Sequence, residues 1–241
     1  MAYENFDYDF QTNGESKILN KLKSCTENIN TIFDVGANRG TWSLMTAKLF
    51  DNVTIYSFEI VPETYSRLSS NCKKNKNIIT NNIGLSNSIG KTKVFYSPEK
   101  SGCATCIKDF TEDYHNYVPQ EIEASISKGD KFCSEHNIQS IDYLKIDVEG
   151  YENNVLYGFE GMLNKGKIKI IQFEYGQVNI KTHFLLKDFY DYLEKFDMVI
   201  GKIYPNYVDF RKYKYTDENF LGPNYLAVHC SCENVIELLK N

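Results

Sequence analysis

The run Asn-Thr-Ile-Phe-Asp-Val-Gly-Ala-Asn-Arg-Gly-Thr-Trp at residues 30–42 constrains this chain more than any other stretch. Its first part, 31–35, is a short apolar run with one carboxylate, Asp34, near the end. That is the look of a buried parallel strand rather than an alternating surface strand. Gly36 and Gly40 then make a tight turn and open a helix over 41–49. Gly36 lacks a Cβ, so a ligand can lie against the backbone there, and the helix N-terminus offers unpaired N–H groups. Open α/β folds hold nucleotide-like ligands in this way, at the carboxyl end of a strand.

A Gly-x-x-x-Gly turn alone is weak evidence, because many α/β proteins have one for packing only. The next strand, 53–58, sharpens the reading because it ends in Glu59-Ile60, with Pro62 suited to the first turn of a following helix. An acid about 20 residues past the glycines, at the end of the second strand, is placed to take both hydroxyls of a ribose. The plainer role for Glu59 is an exposed strand-end carboxylate or a cap. NAD needs a Gly-x-Gly-x-x-Gly cradle for its pyrophosphate, and 36–42 does not match it. A wider turn with Asp34 at the strand's end suits S-adenosylmethionine, which has no phosphates, a cationic sulfonium and an amino-acid tail that wants polar partners. A third strand over 77–85 would bring Asn81, Asn82 and Gly84 to the adenine.

At 241 residues the chain fits one α/β domain with a few insertions. Its net charge of -5 argues against a nucleic-acid partner. No apolar run approaches the ~20 residues of a membrane span, and the acidic, aromatic N-terminus is no signal peptide. Seven scattered cysteines without a secretion signal fit reduced thiols in the cytoplasm. Cys103 and Cys106 have metal-ligand spacing, but no second Cys-x-x-Cys or His pair accompanies them, so no metal site is assigned.

Taken in order, residues 1–14 read as a poorly structured arm and 15–27 as a helix on the sheet edge. Residues 63–74 read as a helix, 93–97 and 122–126 as strands, and Asp130 as the cap of a short helix ending at 135. Residues 98–120, irregular and holding His115, read as a lid over the substrate side. Continuous helices are expected over 151–163 and 178–195, and strands over 198–204 and 225–229. The aromatic segment 204–220 suits an acceptor wall, a dimer contact or, most plainly, an exposed hairpin.

A second constellation lies at 140–150, Ser-Ile-Asp-Tyr-Leu-Lys-Ile-Asp-Val-Glu-Gly. Asp147 and Glu149 stand at the end of its strand, as Glu174 does after 167–173. Parallel pairing would bring Asp34, Glu59, Asp147, Glu149 and Glu174 to one rim. Clustered carboxylates repel unless they hold a cation, share protons or bind hydroxyls.

Together Phe33-Asp34-Val35-Gly36-Ala37-Asn38-x-Gly40, Phe58-Glu59-x-x-Pro62, Gly84-Leu85-Ser86, Asp142-x-Leu144-Lys145-Ile146-Asp147-Val148-Glu149-Gly150-Tyr151-Glu152, Val155-Leu156-x-Gly158 and Phe173-Glu174 resemble the FkbM family of S-adenosylmethionine-dependent methyltransferases. The resemblance implies a class I methyltransferase (Rossmann-like) α/β fold, a seven-stranded, mostly parallel sheet with helices on both faces. It places an N-terminal arm and helix at 1–29, the methyltransferase domain at 30–230 and a helical tail at 231–241. It implies O-methylation, often of a sugar hydroxyl in a glycan or glycoconjugate. A non-sugar small molecule, a protein side chain or a non-catalytic cofactor-binding module are the alternatives. By motif, Asp34, Gly36, Asn38 and Gly40 line the methionine side of the cofactor. Glu59 with Ile60 takes the ribose, Asn82 and Gly84 the adenine, and Asp147 and Glu149 face the transfer site.

Methyl transfer is an in-line displacement that needs the acceptor oxygen positioned and its proton removed. Either Asp147 or Glu149 is the base or anchors the acceptor, with Glu174 assisting, or the three hold Mg²⁺, which would acidify the hydroxyl. The metal-independent route is the working expectation. His115 and His183 are alternative bases. No acceptor motif is recognised in 98–120 or 176–184, and monomer and homodimer stay equally open.

Overall fold

A strand covered on both faces is buried nearly throughout, and the two strands at the heart of the sheet are, with Asp34, Asp142 and Lys145 set among their apolar residues. All but the first residue of β1 (Thr31–Val35) and every residue of β7 (Ile141–Ile146) are buried. The computed structural model describes residues 7–25, 29–108 and 118–240. The remaining strands are β2 (Thr54–Phe58), β3 (Ile78–Asn81), β4 (Gly84–Leu85), β5 (Gly90–Tyr96), β6 (Gln120–Ser127), β8 (Ile168–Glu174), β9 (Met198–Ile203), β10 (Val208–Phe210) and β11 (Asn224–His229). The main sheet has eight strands in the order β10-β9-β11-β8-β7-β1-β2-β3. The five from β8 to β3 are parallel, and β11, β9 and β10 add antiparallel pairings at one edge. The fold is therefore the expected Rossmann-like one. The strand beyond the expected seven is β10, which turns back on β9 as a hairpin and uses part of the aromatic segment 204–220.

Side-chain alternation sends neighbouring strand residues to opposite layers. Ile32, Ile55, Tyr143, Ile170 and Leu226 face α1 (Glu15–Lys23), α2 (Thr41–Leu49), α3 (Pro62–Cys72) and α9 (Glu233–Leu239). Phe33, Phe58, Leu144, Ile171 and Phe173 face α4 (Gly129–Glu135), α5 (Glu152–Gly158), α6 (Glu160–Asn164) and α8 (Leu186–Leu193). The helix α1 thus lies on a sheet face through Ile18, Leu19 and Leu22, not on the edge.

Several sequence expectations need correction. Residues 7–14 are an ordered turn: Asp7 accepts the Thr12 hydroxyl at 2.6 Å, and Asn13 is buried. The third strand breaks after Asn81, and β4 pairs instead with β6 in a separate sheet ordered β4-β6-β5. The helix over 151–163 is two helices. A Cβ on Gly158 would lie 2.1 Å from the Ser86 carbonyl oxygen. There the Asp130 carboxylate accepts N–H groups of Gly161 and Met162 at 2.7 and 2.9 Å, so it caps α6 and not its own helix. The helix over 178–195 is likewise split into α7 (Val178–Thr182) and α8 at His183, whose φ is 54°. No described helix is long and apolar enough to cross a membrane.

Candidate active site

The chain winds outward from β1 through β2 to β3, then returns to pair β7 on the other side of β1. Strand-to-helix loops diverge at such a switch point and leave a crevice at the strands' carboxyl ends. Here the crevice has a volume of about 410 Å³. The turn after β1 forms its floor. Gly36 and Ala37 donate their N–H groups to the Phe58 carbonyl at 3.0 and 2.9 Å. Gly36 has φ 87°, and a Cβ on it would sit 1.7 Å from the Asp147 carbonyl oxygen. The glycine therefore lets two strand ends meet, a demand from protein backbone that the sequence reading had assigned to the ligand. Gly40 does not line the crevice; a Cβ there would strike Leu68 and Cys72 on α3 at 2.6 and 2.9 Å.

Glu59 lines the crevice and is only 5% exposed. One carboxylate oxygen accepts the Asn38 N–H and the other the Val61 N–H, each at 2.9 Å. Burial, only partly offset by those hydrogen bonds, pushes its carboxyl up to about 7. Each oxygen keeps a second lone pair for a ligand hydroxyl. Ile60 and Gly84 line the wall beside it, with Ile83, Leu85, Val94 and Ile126. Asn82 does not line it; its amide donates to the Glu59 carbonyl at 2.8 Å and holds the 59–60 turn.

The crevice is also lined by Asp147, Glu149 and Glu174, which converge, each offering a carboxylate oxygen within 4.8 Å of the others. Such a trio can hold a hard cation, share protons or accept hydroxyls. Burial first, then the neighbouring carboxylates led by Asp147, push Glu149 and Glu174 well above the ordinary range. Asp34 lies beneath, fully buried, lining only an adjoining recess. It accepts the Ser43 hydroxyl at 2.5 Å, and burial raises its carboxyl despite the nearby Lys145.

Sequence reasoning assigned no role to four of the residues that build this site. Lys145, 5% exposed, reaches Asp147 at 2.7 Å and Asp34 at 3.9 Å. Burial alone would lower its ammonium, but Asp147 and Asp34 outweigh that and raise it. A lysine inside a fully buried strand must be paired, a signal present in Ile-Asp-Tyr-Leu-Lys-Ile itself. Glu152, rather than Glu149, accepts the Val148 and Gly150 N–H groups at 3.0 and 3.3 Å and so braces the turn after β7. Burial pushes its carboxyl up to about 7. Glu15 reaches the crevice from α1, accepting the Gln172 and Asn224 amides at 2.7 and 2.9 Å, and Tyr8 lines the same wall. Neither Glu15 nor Tyr8 carries a sequence signal.

The expected lid contributes 101–106 to the crevice wall, where Ser101 donates to the Asn38 side chain at 3.0 Å and Thr105 to the Glu149 carbonyl at 2.7 Å. Burial raises both Cys103 and Cys106 to about 11. His115 lies outside the described residues. His183 is exposed and does not line the crevice, and none of the described lining residues comes from 176–184 or from the expected acceptor wall at 204–220.

A family model described as the methyltransferase FkbM domain matches residues 34–200. Hexuronic acid methyltransferase AglP of Haloferax volcanii is 25% identical over 164 residues, covering 68% of this chain and 64% of that protein. The 31-O-demethyl-FK506 methyltransferase FkbM of Streptomyces tacrolimicus is 26% identical over 159 residues, 54% of this chain and 60% of that one. The chain thus spans under two thirds of the length of either relative. Among solved structures, a putative methyltransferase from Streptococcus mutans in complex with SAH aligns with 89% of this chain and 96% of its own, at TM-score 0.47 and 8% identity. The matched segment runs from Asp34 through the turn after β7 and on past Glu174, most of the chain and nearly all of its strand-end motifs, and the chain belongs to the FkbM methyltransferase domain family.

Proposed function

We propose that the protein is an S-adenosylmethionine-dependent O-methyltransferase acting on a hydroxyl of a sugar in a glycan or glycoconjugate. The observation that carries this is the crevice itself. A buried carboxylate, Glu59, an apolar wall and three converging carboxylates line it together. The donor set fits a phosphate-free nucleoside, because no Lys or Arg is among the described lining residues to answer a pyrophosphate. Glu59 would take the ribose hydroxyls, with Ile60, Ile83, Gly84 and Val94 around the base. Gly36, Asn38 and Asp147 would line the amino-acid side. Bound there, the cofactor supplies an activated methyl group.

The protein's own task is then to hold an acceptor oxygen in line and take its proton. Glu149 and Glu174 suit that role. Their raised carboxyls make them stronger bases than an ordinary glutamate once ionised. Lys145 already sets one positive charge on Asp147, so the reading is of metal-independent chemistry. EDTA treatment is expected to leave turnover intact; lasting loss restored by Mg²⁺ overturns that part.

Calorimetry with S-adenosylhomocysteine and NADH tests the cofactor, with binding of the first alone expected. Transfer of labelled methyl from S-adenosylmethionine to free and nucleotide-linked sugars tests the reaction. Transfer only to non-sugar hydroxyls or protein side chains would redirect the substrate assignment.

A further inference from the structure

The charge of the crevice bears on which sugar it takes, an inference that rests on the sugar reading above. Of the acidic and basic residue types Asp, Glu, Lys, Arg and His, the described lining holds only carboxyls: Glu15, Glu59, Asp147, Glu149 and Glu174. None is Lys, Arg or His. The nearest base, Lys145, is 5% exposed, lines the adjoining recess and is already shared between Asp147 and Asp34. Arg39 and Lys100 line only the adjoining recess, with Asp34 and Trp42.

We propose that the acceptor carries no acid group near the methylated hydroxyl, so that the enzyme takes neutral or amino-bearing sugars and rejects hexuronates. A sugar carboxylate near the transfer site would lie beside Asp147, Glu149 and Glu174, with no Lys, Arg or His among the described lining residues to meet it. Like charges set together without a counter-charge are a strong basis for discrimination. Neutral hydroxyls, in contrast, are what carboxylates accept, and two carboxylates side by side can read two neighbouring hydroxyls. An ammonium would relieve the repulsion within the trio. The inference runs against copying the hexuronic acid named for the Haloferax volcanii relative, whose identity to this chain is 25%.

The test uses the full chain, labelled S-adenosylmethionine and four matched acceptors in the gluco, galacto and manno series. These are the methyl glycoside, its 2-amino analogue, the methyl hexuronide and the methyl ester of that hexuronide. The ester keeps the shape of the acid and removes its charge. The neutral glycoside, the amino sugar and the ester are expected to be methylated with kcat/KM at least about 30-fold above the free acid. Each is run with EDTA and with Mg²⁺, since a divalent ion on the trio would let a carboxylate bind. A free acid methylated as well as its ester, with or without Mg²⁺, overturns the proposal and leaves sugar methylation standing. No transfer to any member, with S-adenosylhomocysteine still bound, takes down the sugar reading and this inference together.

Discussion

Two strand-to-helix turns lie side by side at the mouth of the sheet, one after β1 and one after β7, and they treat charge in opposite ways. Both rely on left-handed backbone: Gly36, Asn38 and Gly40 at φ 87°, 48° and 81°, and Glu149 and Gly150 at 54° and 99°. Around the first turn the carboxylates are answered by the protein. Ser43 and Lys145 face Asp34, and two backbone N–H groups hold Glu59. Around the second, Asp147 has Lys145, but Glu149 and Glu174 meet further carboxylates. A non-glycine residue in the left-handed region, carrying a carboxylate into like charge, is the kind of local cost that persists where function holds it. Under the function proposed above, the first turn would serve as a scaffold and the second would carry the chemistry.

The sharpest way to break that contrast is to neutralise the second turn. Glu174→Gln and Glu149→Gln should each lower kcat by about 10²–10⁴-fold, the range for losing a general base. They should leave the urea unfolding midpoint unchanged or higher, because repulsion among the three carboxylates is relieved. A midpoint that falls along with kcat would mean the glutamates are structural and the two turns are alike.

Lys145 joins the two turns, so Lys145→Met should damage both. Removing one partner of a buried ion pair costs about 3–5 kcal/mol, read as a lower urea midpoint at unchanged slope. A loss below about 1 kcal/mol, the worth of an exposed pair, would show that Asp34 and Asp147 do not depend on it.

The contrast also marks what the sequence could carry. The strand-end acids were legible because buried parallel strands announce themselves as apolar runs, and the residue that ends such a run falls on the rim. Ile141–Ile146 did so with Asp147, whereas Asp34, inside the run Thr31–Val35, is fully buried. Tertiary contacts were not legible in the same way. The break at Gly158 depends on Ser86, which lies far off in sequence, and the cap from Asp130 goes to α6 instead of its own helix. Glu15 reads as an ordinary first-turn helix acid and is buried only because Gln172 and Asn224 converge on it. Asn82 looked like an adenine contact because it stands at a strand end, yet its amide is spent on the Glu59 carbonyl.

On the scaffold side, Glu59→Gln keeps the shape and one acceptor oxygen but turns the other group into a donor facing a backbone N–H. Affinity for S-adenosylhomocysteine should fall by about 1.5–3 kcal/mol, the worth of hydrogen bonds to a charged group, measured by calorimetry. At saturating cofactor kcat should change little. A matching fall in kcat would place Glu59 in the chemistry and erase the distinction between the turns.

The smallest expected effect is on stability against pH, and its sign follows from burial. Glu152 braces the second turn, and its carboxyl rises from an ordinary 4.5 to about 7. Between those values the folded chain holds a proton that the unfolded chain has released. Its contribution to stability is therefore complete below about pH 4.5 and is lost as pH rises through about 7. Glu152→Gln keeps an acceptor for the Val148 and Gly150 N–H groups and cannot ionise. The wild type should lose Tm relative to this variant as pH climbs from 5 to 8, by roughly 2–4 °C for each kcal/mol of linkage. Comparing the two proteins at each pH cancels the other titrating groups they share. A constant difference across that range would mean Glu152 is ionised throughout, held by a counter-charge, and the second turn would then be as fully neutralised as the first.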